Sequence, residues 1–323
     1  MLEVESPLEP ELPICDAHHH LWERPSSRYM LDDLLQDLRG GHNIVSTVAV
    51  ECRYAYRHGG PEKLKPAGEV EFLERVAERA AADVSIKSRV AAAIVGHADL
   101  LLGDAVASVL QGHLSASPHR FRGIRHSATW DASPALRSEA PQGLFSDSRF
   151  RRGFACLEKL GLSFDAWIYH PQLIELAELA RMFPAVPIIL NHIGAPLGIG
   201  PYAGKRAEVF QAWSRGIAEL ASCSNVLVKL GGIGSLRSGY GWHERPIKPP
   251  SVELANILRP YLEHCIEQFG VHRCMFESNF PVEKLANSHV NLWNAFKRMT
   301  DAYTAEERAA LFHNTAARVY RIA

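Results

Sequence analysis

Short runs of apolar and β-branched residues recur along this chain, each ending in a polar or glycine-bearing turn and followed by a longer stretch with helical spacing. The runs predict strands over 14–18, 44–50, 90–95, 121–125, 163–168, 186–191, 225–230 and 273–277. Eight runs separated by about 25 to 50 residues leave room for a crossover helix between each pair, and such units wind right-handed into a parallel sheet buried on both faces. The simplest closure is an α/β fold, a (β/α)8 TIM barrel forming one domain over 14–323 behind an N-terminal extension at 1–13. After the fifth run, Leu173, Leu176, Ala177 and Ala180 fall on one helical stripe with Pro171 at its first turn. Thr304 and Glu307 are spaced as a capping box that opens a last amphipathic helix through Leu311 and Phe312. The Gly- and Pro-rich loops 194–204 and 231–250 both follow predicted strands. In parallel barrels the loops after the strands build the active site, so the chemistry is expected where polar residues end the apolar runs.

Composition narrows the function classes. With 47% hydrophobic and 22% charged residues the chain reads as globular. Its 35 basic and 36 acidic residues leave a net charge of −1, no global field for nucleic acid or an anionic membrane. Residues 1–13 lack a basic start followed by an apolar run, and no apolar stretch reaches the ~20 residues of a membrane span. The six cysteines form no C-x-x-C pair, which argues against a zinc knuckle or a disulfide framework and makes a cytoplasmic location the default. A small-molecule substrate is the expected partner, and assembly into a homo-oligomer is left open. Sixteen histidines, several at the ends of apolar runs, are the unusual feature.

The first strand ends Asp16-Ala17-His18-His19-His20. Alternation puts Asp16, His18 and His20 on one face, so two imidazoles meet at one point as ligands for zinc or a related ion, or else form a solvated or packing cluster. The sixth run ends Asn191-His192-Ile193-Gly194, and His192 there is a third ligand, a carbonyl-polarising donor, or simply a hydrogen-bonded side chain. Arg125 in the fourth strand and Arg53 after the second each offer a guanidinium fork for a substrate carboxylate, or a surface ion pair. His170 is a further ligand, a substrate donor or a helix cap. Lys229 is a cation facing the site or a snorkelling side chain. The loop holding Trp242 and His243 is a substrate lid or an ordinary surface loop. Cys15 and Cys52 lie near strand ends, with no histidine fixed beside either to activate it.

Taken together, Asp16-Ala17-His18-His19-His20-Leu21-Trp22, Phe121-Arg122-Gly123-Ile124-Arg125, Leu190-Asn191-His192-Ile193-Gly194 and Met275-Phe276-Glu277-Ser278-Asn279-Phe280-Pro281 resemble the amidohydrolase superfamily. The branch is amidohydrolase 2, with its 2-pyrone-4,6-dicarboxylate lactonases, fuconolactonase-like and sulfomuconolactone hydrolases and, more distantly, decarboxylases. The resemblance spans nearly the whole chain and implies the barrel and hydrolysis of a cyclic ester, often carboxylated. Relatives read Gly-Ser-Asp-Trp-Pro at the eighth strand, where the aspartate binds metal or takes a proton from water. Here Asn279 holds that position and Glu277 replaces the glycine. An amide accepts no proton at ordinary pH and attracts a cation less strongly.

The expectation is a hydrolase of a small carboxylated lactone. His18, His20 and His192 polarise the carbonyl directly or through a divalent ion, zinc or none at all, while Arg125 holds a carboxylate and Glu51, Glu277 or a histidine takes the proton of water. Two rivals are a metal-dependent decarboxylase of an aromatic or muconate-type acid and a catalytically silent binding barrel.

Overall fold

A computed structural model describes residues 5–322 of the chain; of the expected N-terminal extension, residues 1–4 lie outside the described residues. The strands are β1 (Ile14–His19), β2 (Ile44–Val50), β3 (Arg89–Gly96), β4 (Phe121–Ser127), β5 (Ser163–Trp167), β6 (Ile188–Leu190), β7 (Val226–Leu230) and β8 (Cys274–Phe276). They hydrogen-bond in chain order and every pair is parallel. The seam is closed just beyond β8, where the Asn279 amide donates to the His18 carbonyl at 2.9 Å and the His20 amide to the Phe280 carbonyl at 2.8 Å. The fold is therefore the TIM barrel that the run count predicts. β6 is shorter than its apolar run because the chain leaves extended geometry at His192 and Ile193, both with positive φ.

Around the strands stand α1 (Leu31–Leu38), α2 (Ala67–Ala82), α3 (Ala107–Ala116), α4 (Ser148–Leu160), α5 (Leu173–Met182), α6 (Arg206–Ala221), α7 (Ser251–Phe269) and α8 (His289–Met299). Apolar side chains form two layers. The outer one, between strands and helices, includes Phe164, Trp213 and Phe276. The inner one fills the barrel with Val48, Val50, Ala93, Val95, Ile189 and Met275. Each fully buried Val, Ile or Phe contributes about 1.5–3 kcal/mol, so the layers hold the strand ends rigidly in place. A two-stranded hairpin, Trp22–Arg24 with Ser27–Tyr29, follows β1 and was not signalled by any strand-like run.

The last helix begins with the expected capping box: the Thr304 amide donates to Glu307 at 2.8 Å and the Glu307 amide to Thr304 Oγ1 at 3.3 Å. It does not run straight. One π turn (Ala310–Asn314) separates α9 (Ala305–Ala309) from α10 (Thr315–Val319), and Ala316 and Tyr320 then join the inner layer. At the other terminus, Lys297 of α8 donates to the carbonyls of Leu8 and Glu9, both at 2.8 Å, tying the extension down. No helix among the described residues is long and apolar enough to cross a membrane.

Candidate active site

Simple alternation would turn Cys15, Ala17 and His19 inward along β1. The register instead matches Asp16 to Thr47 and His19 to Ala49, three steps against two, so β1 carries one extra residue. This bulge ends the inward run of Cys15 and Ala17 and turns His18 and His20 to the interior, while His19 points out to Thr47 Oγ1 at 2.9 Å. Asp16, expected beside the two histidines, turns to the β8 end. It accepts from Ser278 Oγ at 2.6 Å and from the Ser278 amide at 2.8 Å. Burial raises its carboxyl to about 6 despite those bonds.

Glu277 joins the site together. Its Oε1 lies 2.6 Å from His192 Nδ1 and 3.1 Å from the His192 amide, and its Oε2 lies 3.0 Å from His18 Nδ1. His192 sits in the left-handed region, and the chain just beyond β7 passes close against both groups at Gly231 and Gly232. A Cβ on Gly231 would lie 2.5 Å from Glu277 Cγ, and one on Gly232 would lie 2.4 Å from the His192 ring. Only glycine fits either place. Asn279, also left-handed at φ 54°, occupies a position that asparagine and aspartate tolerate better than other side chains.

His18 and His20 face each other with Nε2 atoms 3.1 Å apart. His20 Nδ1 donates to the Val50 carbonyl at 2.8 Å, which leaves its Nε2 as the lone-pair side. Burial, then the Lys229 charge, holds His18 well below the usual imidazole range; burial and Arg125 do the same for His20. Both rings are therefore neutral. Arg125 Nε donates to Glu51 Oε1 at 2.7 Å, and its Nη1 stands 3.3 Å from His18 Nε2. Beneath them Lys229 Nζ lies 2.6 Å from Asp165 and 3.3 Å from His18 Nδ1. Asp165 also accepts from Tyr320 OH at 3.0 Å and from Asn191 Nδ2 at 2.9 Å.

Donor chemistry at this point suits a cation. His18, His192 and Glu277 offer ligand atoms within 4.8 Å of one another, all buried. Glu51 offsets Arg125 and Asp165 offsets Lys229, so Glu277 has imidazoles as its nearest partners, and its Oε2 has no hydrogen bond among the described residues. A buried carboxylate in that state needs a proton or an ion nearby. The expected trio of His18, His20 and His192 is thus modified, with Glu277 in the cluster and His20 beside it.

Above lies a cavity of about 410 Å³ whose wall includes His20, Glu51, Arg125, His192 and Asn279, with Arg53 higher up. Several expected contacts are not on that wall. Lys229 and Glu277 are 0% exposed, so each can act only through a neighbour. His170 accepts from the Leu197 amide and packs on Tyr202. Trp242 is buried and stacked on Tyr240, and His243 stands beside Glu244, so neither forms a lid over the cavity. Burial pushes the Cys15 thiol up to about 12 and raises Cys52 as well, consistent with inert packing rather than nucleophiles. The sequence reading missed Arg24, Arg137, Glu139, Trp167 and Arg237, which also line the cavity. Their one signal is position: each lies at or after a strand end.

The sequence profile of a family described as amidohydrolase matches residues 15–322. An uncharacterized protein of Sinorhizobium fredii is 34% identical over 334 residues, covering 97% of this chain and 99% of that one. A Burkholderia ambifaria protein named L-fucono-1,5-lactonase is 27% identical over 95% of both chains. Among solved structures, a Burkholderia multivorans amidohydrolase with bound zinc superposes with a TM-score of 0.74 at 23% identity, covering 95% of this chain and 99% of that one, a likeness of fold.

Proposed function

Because this chain belongs to the amidohydrolase family and backs a cavity-facing imidazole with a buried carboxylate, we propose that it hydrolyses a small lactone by direct attack of water. The observation that carries this reading is the 2.6 Å contact of His192 Nδ1 with Glu277, which fixes the tautomer and leaves Nε2 as the proton acceptor on the cavity side. Relatives named as sugar lactonases support the choice of a cyclic ester.

In this reading the lactone carbonyl rests on the floor beside Arg125 Nη1, whose hydrogens meet the developing oxyanion. His192 Nε2 takes a proton from water as the water oxygen bonds to the carbonyl carbon. The ring C–O bond then breaks, the alkoxide recovers the proton from His192, and a hydroxy acid leaves. Glu277 holds His192 in place and stabilises its protonated form. Asn279, unable to act as a base, offers a hydrogen bond at the wall. A divalent ion held by His18, His192 and Glu277 would occupy the lone pair of His192 and so replace it as the base, supplying Lewis-acid polarisation of the carbonyl and a more acidic water instead.

The test is a panel of sugar and carboxylated lactones followed by acid release, with elemental analysis of the purified protein. Turnover of at least one lactone is expected, and His192→Ala should lower kcat by about 10²- to 10⁴-fold while circular dichroism shows the barrel still folded. No turnover across the panel, or release of carbon dioxide from a carboxylated substrate, overturns the proposal.

A further inference from the structure

A neutral imidazole carries one ring proton, and at His18 four neighbours compete over where it sits. Beside Nδ1 stand a donor, the Lys229 ammonium at 3.3 Å, and an acceptor, Glu277 Oε2 at 3.0 Å. Beside Nε2 stand a second donor, Arg125 Nη1 at 3.3 Å, and His20 Nε2 at 3.1 Å. The His20 proton is committed to the Val50 carbonyl, so His20 Nε2 can only accept. No tautomer satisfies all four. With the proton on Nδ1, His18 would serve Glu277 and Arg125, but its Nε2 lone pair would face that of His20 and its N–H would face the ammonium. With the proton on Nε2, His18 donates to His20 and accepts from Lys229.

Geometry decides between the two. Glu277 Oε2 is nearer to Nδ1 than Lys229 is, yet it is left without a hydrogen bond among the described residues, whereas the Lys229 contact has hydrogen-bond geometry. Lys229 is buried and aimed by Asp165 Oδ2 at 2.6 Å, a carboxylate that Tyr320 and Asn191 also hold. The ring proton therefore belongs on Nε2. Both His18 nitrogens are then engaged, and an ion can use the ring only by taking Nδ1 from an ammonium or Nε2 from a proton. A histidine that ligates a metal ordinarily turns its other N–H to a carboxylate, carbonyl or water; here a buried cation stands at Nδ1. We infer that Lys229 holds His18 in the Nε2–H tautomer and thereby keeps the affinity of the floor for a divalent ion low. Lys229 acts through His18, as a positioning residue.

The test uses chelator-treated protein labelled with nitrogen-15 in its histidines, and no lactone enters it, so its outcome is separate from that of the hydrolase reading. The nitrogen shifts of an imidazole identify which atom bears the proton, and the His18 signals are those lost in His18→Gln. The expected wild-type proton is on Nε2, moving to Nδ1 in Lys229→Met. Titrated with cobalt(II), whose visible absorption reports coordination, Lys229→Met should bind about 10- to 100-fold more tightly than the wild type, the scale expected for removing one positive charge a few ångströms from a dication and partly offset by a carboxylate. Removing the lysine alone leaves Asp165 unpaired, so Lys229→Met/Asp165→Asn, which removes the buried pair together, gives a second reading with the same expected gain. A wild-type proton on Nδ1 overturns the inference, and that measurement decides alone if neither variant folds. A folded variant whose His18 proton stays on Nε2, or whose cobalt affinity fails to rise, overturns it as well.

Discussion

The floor and the rim of the cavity are built on opposite plans. On the floor, His18, His20, His192, Glu277 and Arg125 come from strand ends, are no more than 8% exposed, and each touches at least one other member. At the rim, Arg24, Arg53 and Arg137 come from loops and a short hairpin and are exposed to solvent, with Arg237 half-buried. A rigid floor can keep one reaction geometry while the rim changes its choice of substrate, because loop side chains can be exchanged without disturbing the strands that place the imidazoles.

The contrast can be broken first at Glu277. Glu277→Gln keeps the shape but removes the charge behind His192, so kcat should fall by about 10²- to 10⁴-fold while KM stays within a few-fold; steady-state kinetics that showed mainly a KM effect would move Glu277 from the floor's chemistry to binding. A rim substitution comes next: Arg237→Met removes a cavity-lining guanidinium held by Tyr169, so steady-state kinetics should show a loss in kcat/KM of about tenfold, smaller than that at Glu277.

Smaller still is a stability effect just outside the floor. Burial raises Glu283 from 4.5 to about 8, while its Oε2 accepts from the Gly234 amide at 2.8 Å. The folded state therefore keeps a proton that the unfolded chain releases. That contribution is fully present below about pH 4.5 and disappears as pH rises through about 8. Glu283→Gln mimics the protonated form, so thermal melts should match the wild type near pH 4.5 and exceed it by a few degrees near pH 9. The smallest effect belongs to His243→Ala. Standing off the cavity wall, it should leave kcat/KM unchanged and stability within about 0.5 kcal/mol.

The floor was legible in the sequence for a physical reason. Its residues end apolar runs, and the barrel brings every strand end to one place, so His18, His20, His192, Arg125, Glu51 and Asn279 converge without any knowledge of loop paths. What hid the rest was geometry set at longer range. The bulge in β1 separates Asp16 from its expected neighbours, and no composition signal marks it. Arg24 depends on a hairpin whose strands are three residues each, too short for a periodic pattern. Trp242 looked like a lid residue because aromatic loops resemble lids until stacking on Tyr240 is seen. Asp165 and Tyr320 lie 155 residues apart, and nothing local to either announces their bond.

That last bond ties the helical layer to the reacting groups. Tyr320, just after α10, braces the Asp165–Lys229 pair directly under His18. The imidazole at the floor is thus supported from the far side of the barrel by one phenol hydroxyl, and a shift of α10 would be felt at His18 through that single relay.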